Sequence, residues 1–185
     1  MQAGEGGLNE ENDFAYKKEN LTLRIEPEIL EAIKQKSKTE KVSINNIVNK
    51  MLQSYTDWNQ YAPDAGWVPM PKQLLGHLME KCSENEISEL ARKKGKDIAQ
   101  DILLFMNGRY DLESWINFLK NRASASGFRF SEQRDRNSIR CLLHHELGRG
   151  WSIWFKCFYE IVFTDLGKKV DFEISENTLA IKITL

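Results

Sequence analysis

The sequence predicts an α+β protein made of a small N-terminal unit and a larger C-terminal one. Apolar residues recur at helical spacing over most of the chain, whereas short stretches typical of strands occur near both ends. Three of the four prolines fall in residues 57–71, a stretch without periodicity that favours a linker. Beyond it, helices are followed by a strand, a helix and a hairpin, an order typical of an α+β domain.

The overall composition is typical of a globular protein that stays in water, with 41% hydrophobic and 29% charged residues. The apolar runs are too short to span a bilayer, and the N-terminus lacks the pattern of a secretory signal. The three cysteines are widely spaced and odd in number, which favours a reducing compartment over a disulfide framework. We therefore expect a cytoplasmic protein with no membrane contact.

The charge is unevenly distributed. The net charge is −1, yet residues 1–16 carry four acids and no base, whereas residues 17–56 carry eight bases against five glutamates. Glycine-rich and without periodicity, residues 1–18 are predicted to form a flexible acidic tail. The segment that follows is modestly basic, and dimerisation would double its charge.

Residues 20–26 alternate as a strand does and are followed at once by a helix. The apolar positions are Leu21, Leu23 and Ile25, and the polar positions between them are Asn20, Thr22 and Arg24. Period 2 places these two sets on opposite faces. Pro27 then suits the first position of a helix running to about Lys38. A strand this short has no pairing partner nearby, so a partner from outside the segment is expected.

A second helix is predicted to begin after Ser43, a good N-cap residue. Its apolar stripe is wide for its length, with Ile44, Ile47, Val48, Met51, Leu52 and Tyr55 at helical spacing. A unit of roughly 40 residues is too small to bury such a stripe alone. This helix also needs a partner.

The order strand, helix, turn, helix in residues 20–56 resembles the ribbon-helix-helix family of DNA-binding regulators, the class of the Arc, CopG and MetJ repressors. In that family the strand pairs antiparallel with its copy in a second subunit, and four helices interlock in one core. The resemblance implies that residues 19–56 form an intertwined homodimer that could assemble further on double-stranded DNA. One departure is the turn between the helices, where the family commonly has glycine and this chain has Lys41.

A two-stranded antiparallel ribbon fits the major groove, where all four base pairs can be distinguished. The resemblance implies that the polar face of the ribbon contacts bases, and that phosphate binds at the N-terminus of the second helix. The predicted base-contacting residues are Asn20, Thr22 and Arg24, and the predicted phosphate-contacting residues are Lys18, Ser43 and Asn45.

Residues 72–185 are expected to form an α+β effector or dimerisation domain with helices packed on a small antiparallel sheet. The predicted elements are helices at 72–82, 85–106, 111–125 and 150–166, a strand at 138–147, and a final hairpin through Glu176 and Asn177. The mixed-charge stretch RFSEQRDRNSIR, residues 129–140, is interpreted as a solvated loop, with contact to DNA flanks as the alternative.

No catalytic signature occurs in this second domain, so we expect no enzyme activity. The stretch HHELG, residues 144–148, is not the zinc motif His-Glu-x-x-His because Arg149 occupies the second histidine position. The residues that could still bind a metal are His77, Cys82, Cys141, His144 or His145, and Cys157, but no two have a diagnostic spacing. We expect no metal site, and the cofactor stays open.

The second domain also resembles the vinyl-reductase-like sensor domains related to haem-NO-binding and TRAPP-type folds. The resemblance lies in ARKKGKDIAQDIL, LHHELGRGWS, the apolar helix and the final hairpin. Some of those domains bind small hydrophobic or aromatic ligands, so an effector of that kind is implied. Many members carry paired cysteines near the hairpin that this chain lacks, so no ligand residue follows from the resemblance.

Together these patterns predict a sequence-specific DNA-binding transcriptional regulator whose C-terminal domain senses an effector, dimerises, or both. The alternative is an antitoxin-type interaction protein whose C-terminal region binds a protein partner.

Overall fold

The computed structural model describes residues 19–185. The described residues divide into two compact units, residues 19–47 and residues 48–185. The predicted acidic tail and Lys18 lie outside the described residues. Over residues 19–185 the protein is α+β, with seven α-helices, one π-helical turn and one four-stranded antiparallel sheet. None of these helices is long and apolar enough to cross a membrane.

The first unit contains helix α1, Pro27–Glu40, and the start of helix α2, Ile44–Ser54. Pro27 occupies the first turn of α1 as predicted. Ser43 caps α2, because its hydroxyl accepts a hydrogen bond from the Asn46 amide at 3.1 Å. Residues 19–26 form no strand within the single chain, so a strand there would depend on pairing with another chain.

The turn between α1 and α2 has a left-handed residue at its centre. Lys41 adopts φ 54° and ψ 40°, and its amide bonds the Lys38 carbonyl while the Val42 amide bonds the Ser37 carbonyl. This pair of bonds ends a helix most easily when glycine occupies the left-handed position. The chain therefore makes the expected turn with a residue whose Cβ strains it.

Among the described residues of the first unit, Ile33 and Ile47 are buried. Leu21 and Leu23 are 70% and 49% exposed, and Ile29 and Ile44 are also exposed. The first unit therefore presents more apolar side chains to water than it buries.

The second unit contains six helices or helical turns after α2 and all four strands of the sheet, and helix α7 lies at its centre. After the π-helical turn Tyr55–Asn59 come α3 Lys72–Met79, α4 Glu84–Asp97, α5 Ala99–Asn107, α6 Leu112–Ala125, β1 Arg129–Asp135, β2 Ser138–His144, α7 Arg149–Asp165, β3 Val170–Ile174 and β4 Thr178–Thr184. The helix predicted over 85–106 is divided between α4 and α5 at Ile98, where φ is −127°.

The sheet has the order β1-β2-β4-β3 with every neighbouring pair antiparallel. The predicted final hairpin is present, with Ile174 opposite Leu179. One face of the central strands is apolar, because every second side chain is buried. These side chains are Ile139, Cys141 and Leu143 of β2 and Leu179, Ile181 and Ile183 of β4.

The interpretation of residues 129–140 as a loop was wrong. They form β1 and the beginning of β2, joined by a turn at Arg136 and Asn137, with Asp135 opposite Ser138. An edge strand that presents mostly polar side chains lacks the apolar alternation that identifies a strand. Its stability comes from backbone pairing with β2, which the side-chain pattern does not report.

Helix α7 contacts α3, α4, β3 and β4 and is the central element of the core. It is apolar on most of its circumference because it is covered on several sides. Its largest fully buried side chains are Phe155, Tyr159 and Phe163, each of which stabilises the fold by about 2 to 3 kcal/mol through burial.

The stretch interpreted as a linker, residues 57–71, packs on the core of the second unit. Trp58 and Ala62 are buried, and the rings of Trp58 and Trp67 lie 5.4 Å apart between centroids. The stretch bends through turns after the π-helical turn and leads directly into α3. Its aromatic side chains hold it against α6, since Trp58 and Phe118 are 5.7 Å apart.

Candidate functional sites

The predicted DNA-contacting residues lie in two places in the first unit. Asn20, Thr22 and Arg24 are exposed in the stretch that precedes α1. Ser43 and Asn45 come together at the N-terminus of α2, and both are exposed. The Ser43 hydroxyl accepts the capping bond and keeps its own proton for donation, which is the polarity that a phosphate oxygen requires.

The second unit contains a cavity of about 670 Å³. None of the site residues predicted from the sequence lines it. It is lined by the end of the π-helical turn and the stretch after it, by the start of α3, by the end of α6 with the residues that follow it, and by the first half of α7 with the residue Leu147 before it. Five aromatic rings form much of its wall, those of Trp58, Trp67, Phe128, Trp151 and Phe155. A volume between about 300 and 1,000 Å³ with a mostly apolar wall is typical of small-molecule sites.

Arg122 brings a positive charge to this wall. Its guanidinium carbon lies 4.7 Å from the Trp67 ring centroid and 5.1 Å from that of Phe155. One Nη donates to the Tyr159 hydroxyl at 3.2 Å. Within residues 19–185 no carboxylate pairs with this guanidinium, so the aromatic faces and one phenol are its protein partners.

Lys72 is the second cation at the cavity, but its charge is compensated. Its Nζ lies 5.2 Å from the Phe128 ring centroid and donates to the Gly127 carbonyl at 3.0 Å. The same nitrogen pairs with the Glu146 carboxylate at 3.1 Å, and this bond lowers the pKa of Glu146. Lys72 therefore joins the start of α3 to the segments on either side of the β1–β2 hairpin.

The remaining polar side chains of the cavity wall are neutral. Apart from the indole N–H groups of the tryptophans, they are the Asn59 amide and the Ser126 hydroxyl. Among the described residues that line the cavity, none is acidic. The site therefore carries one unpaired cation, one paired cation and no negative charge of its own.

A buried histidine lies behind this wall. His145 is fully buried, and its ring centroid is 5.4 Å from that of Phe155 and 6.3 Å from that of Phe128. Its Nδ1 accepts the Leu147 amide at 3.1 Å, so the proton of the neutral ring is on Nε2, which lies 2.8 Å from the Ser152 hydroxyl.

This histidine and serine are therefore not arranged as a base and a nucleophile. An Nε2 that donates to the hydroxyl cannot accept its proton, and both residues are fully buried. Burial, with smaller contributions from the neighbouring charges of His144 and Lys72, lowers the pKa of His145 to about 4. The pair is a satisfied hydrogen-bonded element of the core.

The other potential metal ligands are dispersed. Cys82 is exposed, whereas Cys141 and Cys157 are buried, and all three are free thiols. Burial raises the pKa of Cys141 to about 12, so its reactive thiolate is scarce near neutral pH. Over residues 19–185 no group of three or more histidine, cysteine or acidic side chains could hold a metal ion.

Comparison with known proteins leaves the family open. No protein-family model matches the chain, and no curated protein is significantly similar to it. A solved structure with some likeness is described as "Cs H-NOX mutant with unnatural amino acid 4-cyano-L-phenylalanine at site 5". The match covers 73% of this chain and 94% of that chain at 9% sequence identity, with a TM-score of 0.42. A likeness at this level is too distant to assign a fold family.

No sequence motif indicates the cavity, but the position of one charged residue in α6 does. Arg122 follows Trp115, Phe118 and Leu119 at helical spacing, so a charged residue, half-buried in the structure, continues the apolar stripe of α6. A charge in that position needs a specific partner or a ligand. The partners Trp67 and Phe155 are remote in sequence, so only the fold identifies them.

Proposed function

We propose that this protein is a sequence-specific, homodimeric DNA-binding transcriptional regulator. Residues 20–26 of two copies pair as an antiparallel ribbon that enters the major groove, and the second unit senses an effector. A two-stranded ribbon can read base edges in that groove. Two observations support the proposal. The residues before α1 carry a polar face, and several apolar side chains of the first unit stay exposed in the single chain.

One observation carries the proposal most strongly. The first unit leaves Leu21 and Leu23 exposed at 70% and 49%, and Ile29 of α1 is exposed as well. Each such side chain stabilises an assembly by about 1.5 to 3 kcal/mol when it is fully buried. Pairing two copies through residues 20–26 supplies a cover for these side chains and hydrogen-bond partners for the unpaired backbone.

The polar side chains of the same stretch fit the chemistry of base reading. In the ribbon, Asn20, Thr22 and Arg24 alternate with the apolar set and face away from it. Arginine binds guanine through two hydrogen bonds, asparagine binds adenine in the same way, and threonine suits either a polar edge or a thymine methyl. At the N-terminus of α2, Ser43 and the free backbone amides favour a phosphate oxygen.

The test begins with selection of a preferred operator from random duplex DNA by the full-length protein. Arg24→Ala is then compared with Lys34→Ala, which also removes one exposed positive charge but lies on α1 beside Glu31. Arg24→Ala should weaken binding to the selected operator by about 1 to 3 kcal/mol and reduce base preference at one position. Lys34→Ala should leave that preference intact.

Sedimentation of both variants establishes whether the dimer is preserved. Unchanged sequence preference in a dimeric Arg24→Ala variant would show that the ribbon does not read the bases. A monomeric wild-type protein at micromolar concentration would contradict the proposal at an earlier step. Ser43→Ala should weaken binding to all sequences about equally, as loss of a phosphate contact does.

The antitoxin-type alternative has less support. Regions that neutralise a partner are commonly disordered until they bind, whereas residues 48–185 have a continuous buried core that includes Trp115 and Phe163. Limited proteolysis distinguishes the two, because a regulator of the proposed kind should yield a resistant fragment covering most of residues 48–185.

A further inference from the structure

We propose that the cavity in the second unit binds a small organic carboxylate with a flat aromatic body, and that Arg122 receives its carboxylate. This inference deepens the proposed function by naming the class of effector. It depends on the proposed function only for the consequence of binding, since the site itself lies wholly within residues 58–155.

The shape and lining of the cavity favour a flat apolar body. Its volume of about 670 Å³ suits a molecule of one or two rings with a short substituent. Trp67, Phe128, Trp151 and Phe155 provide aromatic faces on several sides. Offset or edge-on contacts with such faces contribute beyond simple burial, so a ring gains more here than an aliphatic chain of equal area.

The charge of the cavity favours an anion. A ligand cation would meet Arg122 and Lys72 without any acidic side chain in the described lining to balance it. A neutral ligand would leave the Arg122 guanidinium without a counter-charge beside an apolar wall. A carboxylate removes both penalties, because a half-buried charge beside aromatic rings is stabilised when it is paired and hydrogen-bonded.

The contacts of Arg122 leave donors for such a ligand. The cation–π contacts with Trp67 and Phe155 hold the guanidinium but use none of its N–H groups, and the Tyr159 hydroxyl accepts from one nitrogen. A guanidinium has five N–H donors in a plane, and a planar carboxylate accepts two of them in parallel. The fixed position of Arg122 makes this pairing selective for planar anions over a diffuse charge.

Lys72 has a supporting role in the cavity wall. Its charge is already paired with Glu146, so it adds little attraction of its own. Its bond to the Gly127 carbonyl keeps Phe128 and the start of α3 together. Arg122 is therefore the residue whose charge should decide ligand class.

The experiment uses the full-length protein without DNA and measures heat of binding near neutral pH. The probes are 2-naphthoate and 2-naphthamide, which share one ring system and differ in charge. We expect 2-naphthoate to bind at least about tenfold more tightly, the effect of one charge-assisted hydrogen-bonded pair. Equal affinities, or no measurable binding of 2-naphthoate at millimolar concentration, would overturn the proposal.

Two variants test the site: one tests the contact with the carboxylate, and the other tests whether the ligand occupies the cavity. Arg122→Met keeps an unbranched stem between the aromatic rings but removes the charge, and it should eliminate the preference for 2-naphthoate. Ala125→Trp adds a large ring to a residue that lines the cavity and should weaken both probes about tenfold or more. Its matched control is Ser124→Trp, one residue away on α6 and exposed but outside the lining, which should bind as the wild type does.

Circular dichroism of each variant verifies its fold. If Arg122→Met unfolds, the comparison of the two probes on wild type and on Ala125→Trp still decides the proposal. Retained 2-naphthoate affinity in a folded Ala125→Trp variant would place the ligand elsewhere and refute the site. Because no DNA is present, failure here leaves the operator test unaffected, and failure of the operator test leaves this result unaffected.

Discussion

Replacing His145 with glutamine should flatten the acid dependence of the protein's stability. His145 is fully buried, and its ordinary ring pKa of 6.5 is lowered to about 4 in the folded state, first by burial and then by the charges of His144 and Lys72. Protonation would also place a proton on Nδ1, where the Leu147 amide already donates. Between about pH 4 and 6.5, His145 is therefore neutral in the folded protein but protonated in the unfolded chain.

The sign and size of the effect follow from this difference. The neutral ring contributes its full stability above about pH 6.5, and the contribution is lost as pH falls through 6.5 toward 4. Proton linkage gives a loss of about 2 kcal/mol between pH 7 and pH 5, and roughly 3 kcal/mol once pH is below 4. That is a large part of the 5 to 15 kcal/mol typical of a domain.

The assay is urea unfolding followed by circular dichroism at about pH 7 and pH 5. Carboxylates also titrate over this range, so each variant is compared with itself at the two pH values. His144→Gln is the matched control, because it removes a neighbouring imidazole that is partly exposed and bonded to Thr178. Wild type should lose about 2 kcal/mol more than His145→Gln. His144→Gln should lose slightly less than wild type, because it removes only the smaller charge contribution and leaves the burial of His145 unchanged. An equal loss in all three proteins would show that His145 is not held neutral.

Three further substitutions test the local geometry. Lys41→Gly should stabilise the protein by up to about 1 kcal/mol by relieving the left-handed strain, whereas Lys41→Ala, which keeps the Cβ, should not; thermal unfolding distinguishes them. Ser83→Ala should cost about 1 kcal/mol in urea unfolding, because its hydroxyl caps α4 by accepting the Glu86 amide. Tyr159→Phe should cost about 1 kcal/mol, because it removes the buried hydroxyl that accepts from Arg122; an unchanged unfolding midpoint would contradict that role.

The parts of the fold that sequence reasoning predicted are those with local causes. Pro27 starts α1 and Ser43 caps α2 because each acts on backbone groups within a few residues. The wide apolar pattern of α7 and the hairpin after it are likewise visible in short windows. These signals need no knowledge of what the element packs against.

What could not be predicted depends on contacts between distant residues. Strand β1 has one half-buried apolar residue, Phe130, and owes its conformation to pairing with β2. The position of Arg122 depends on Trp67 and Phe155, which α6 meets only after the chain has folded. The ribbon stays a prediction for a related reason, because its pairing partner would be another molecule.

The position of the tryptophans gives the protein an optical property. Of its five tryptophans, Trp58, Trp67 and Trp151 line the cavity, and Trp67 lies directly against a guanidinium. Indole emission responds to nearby charge and to displacement of water, and three of the five indoles lie where a ligand would bind. Unlabelled protein can therefore report occupancy by its own emission, and compound collections can be screened without a known effector or operator.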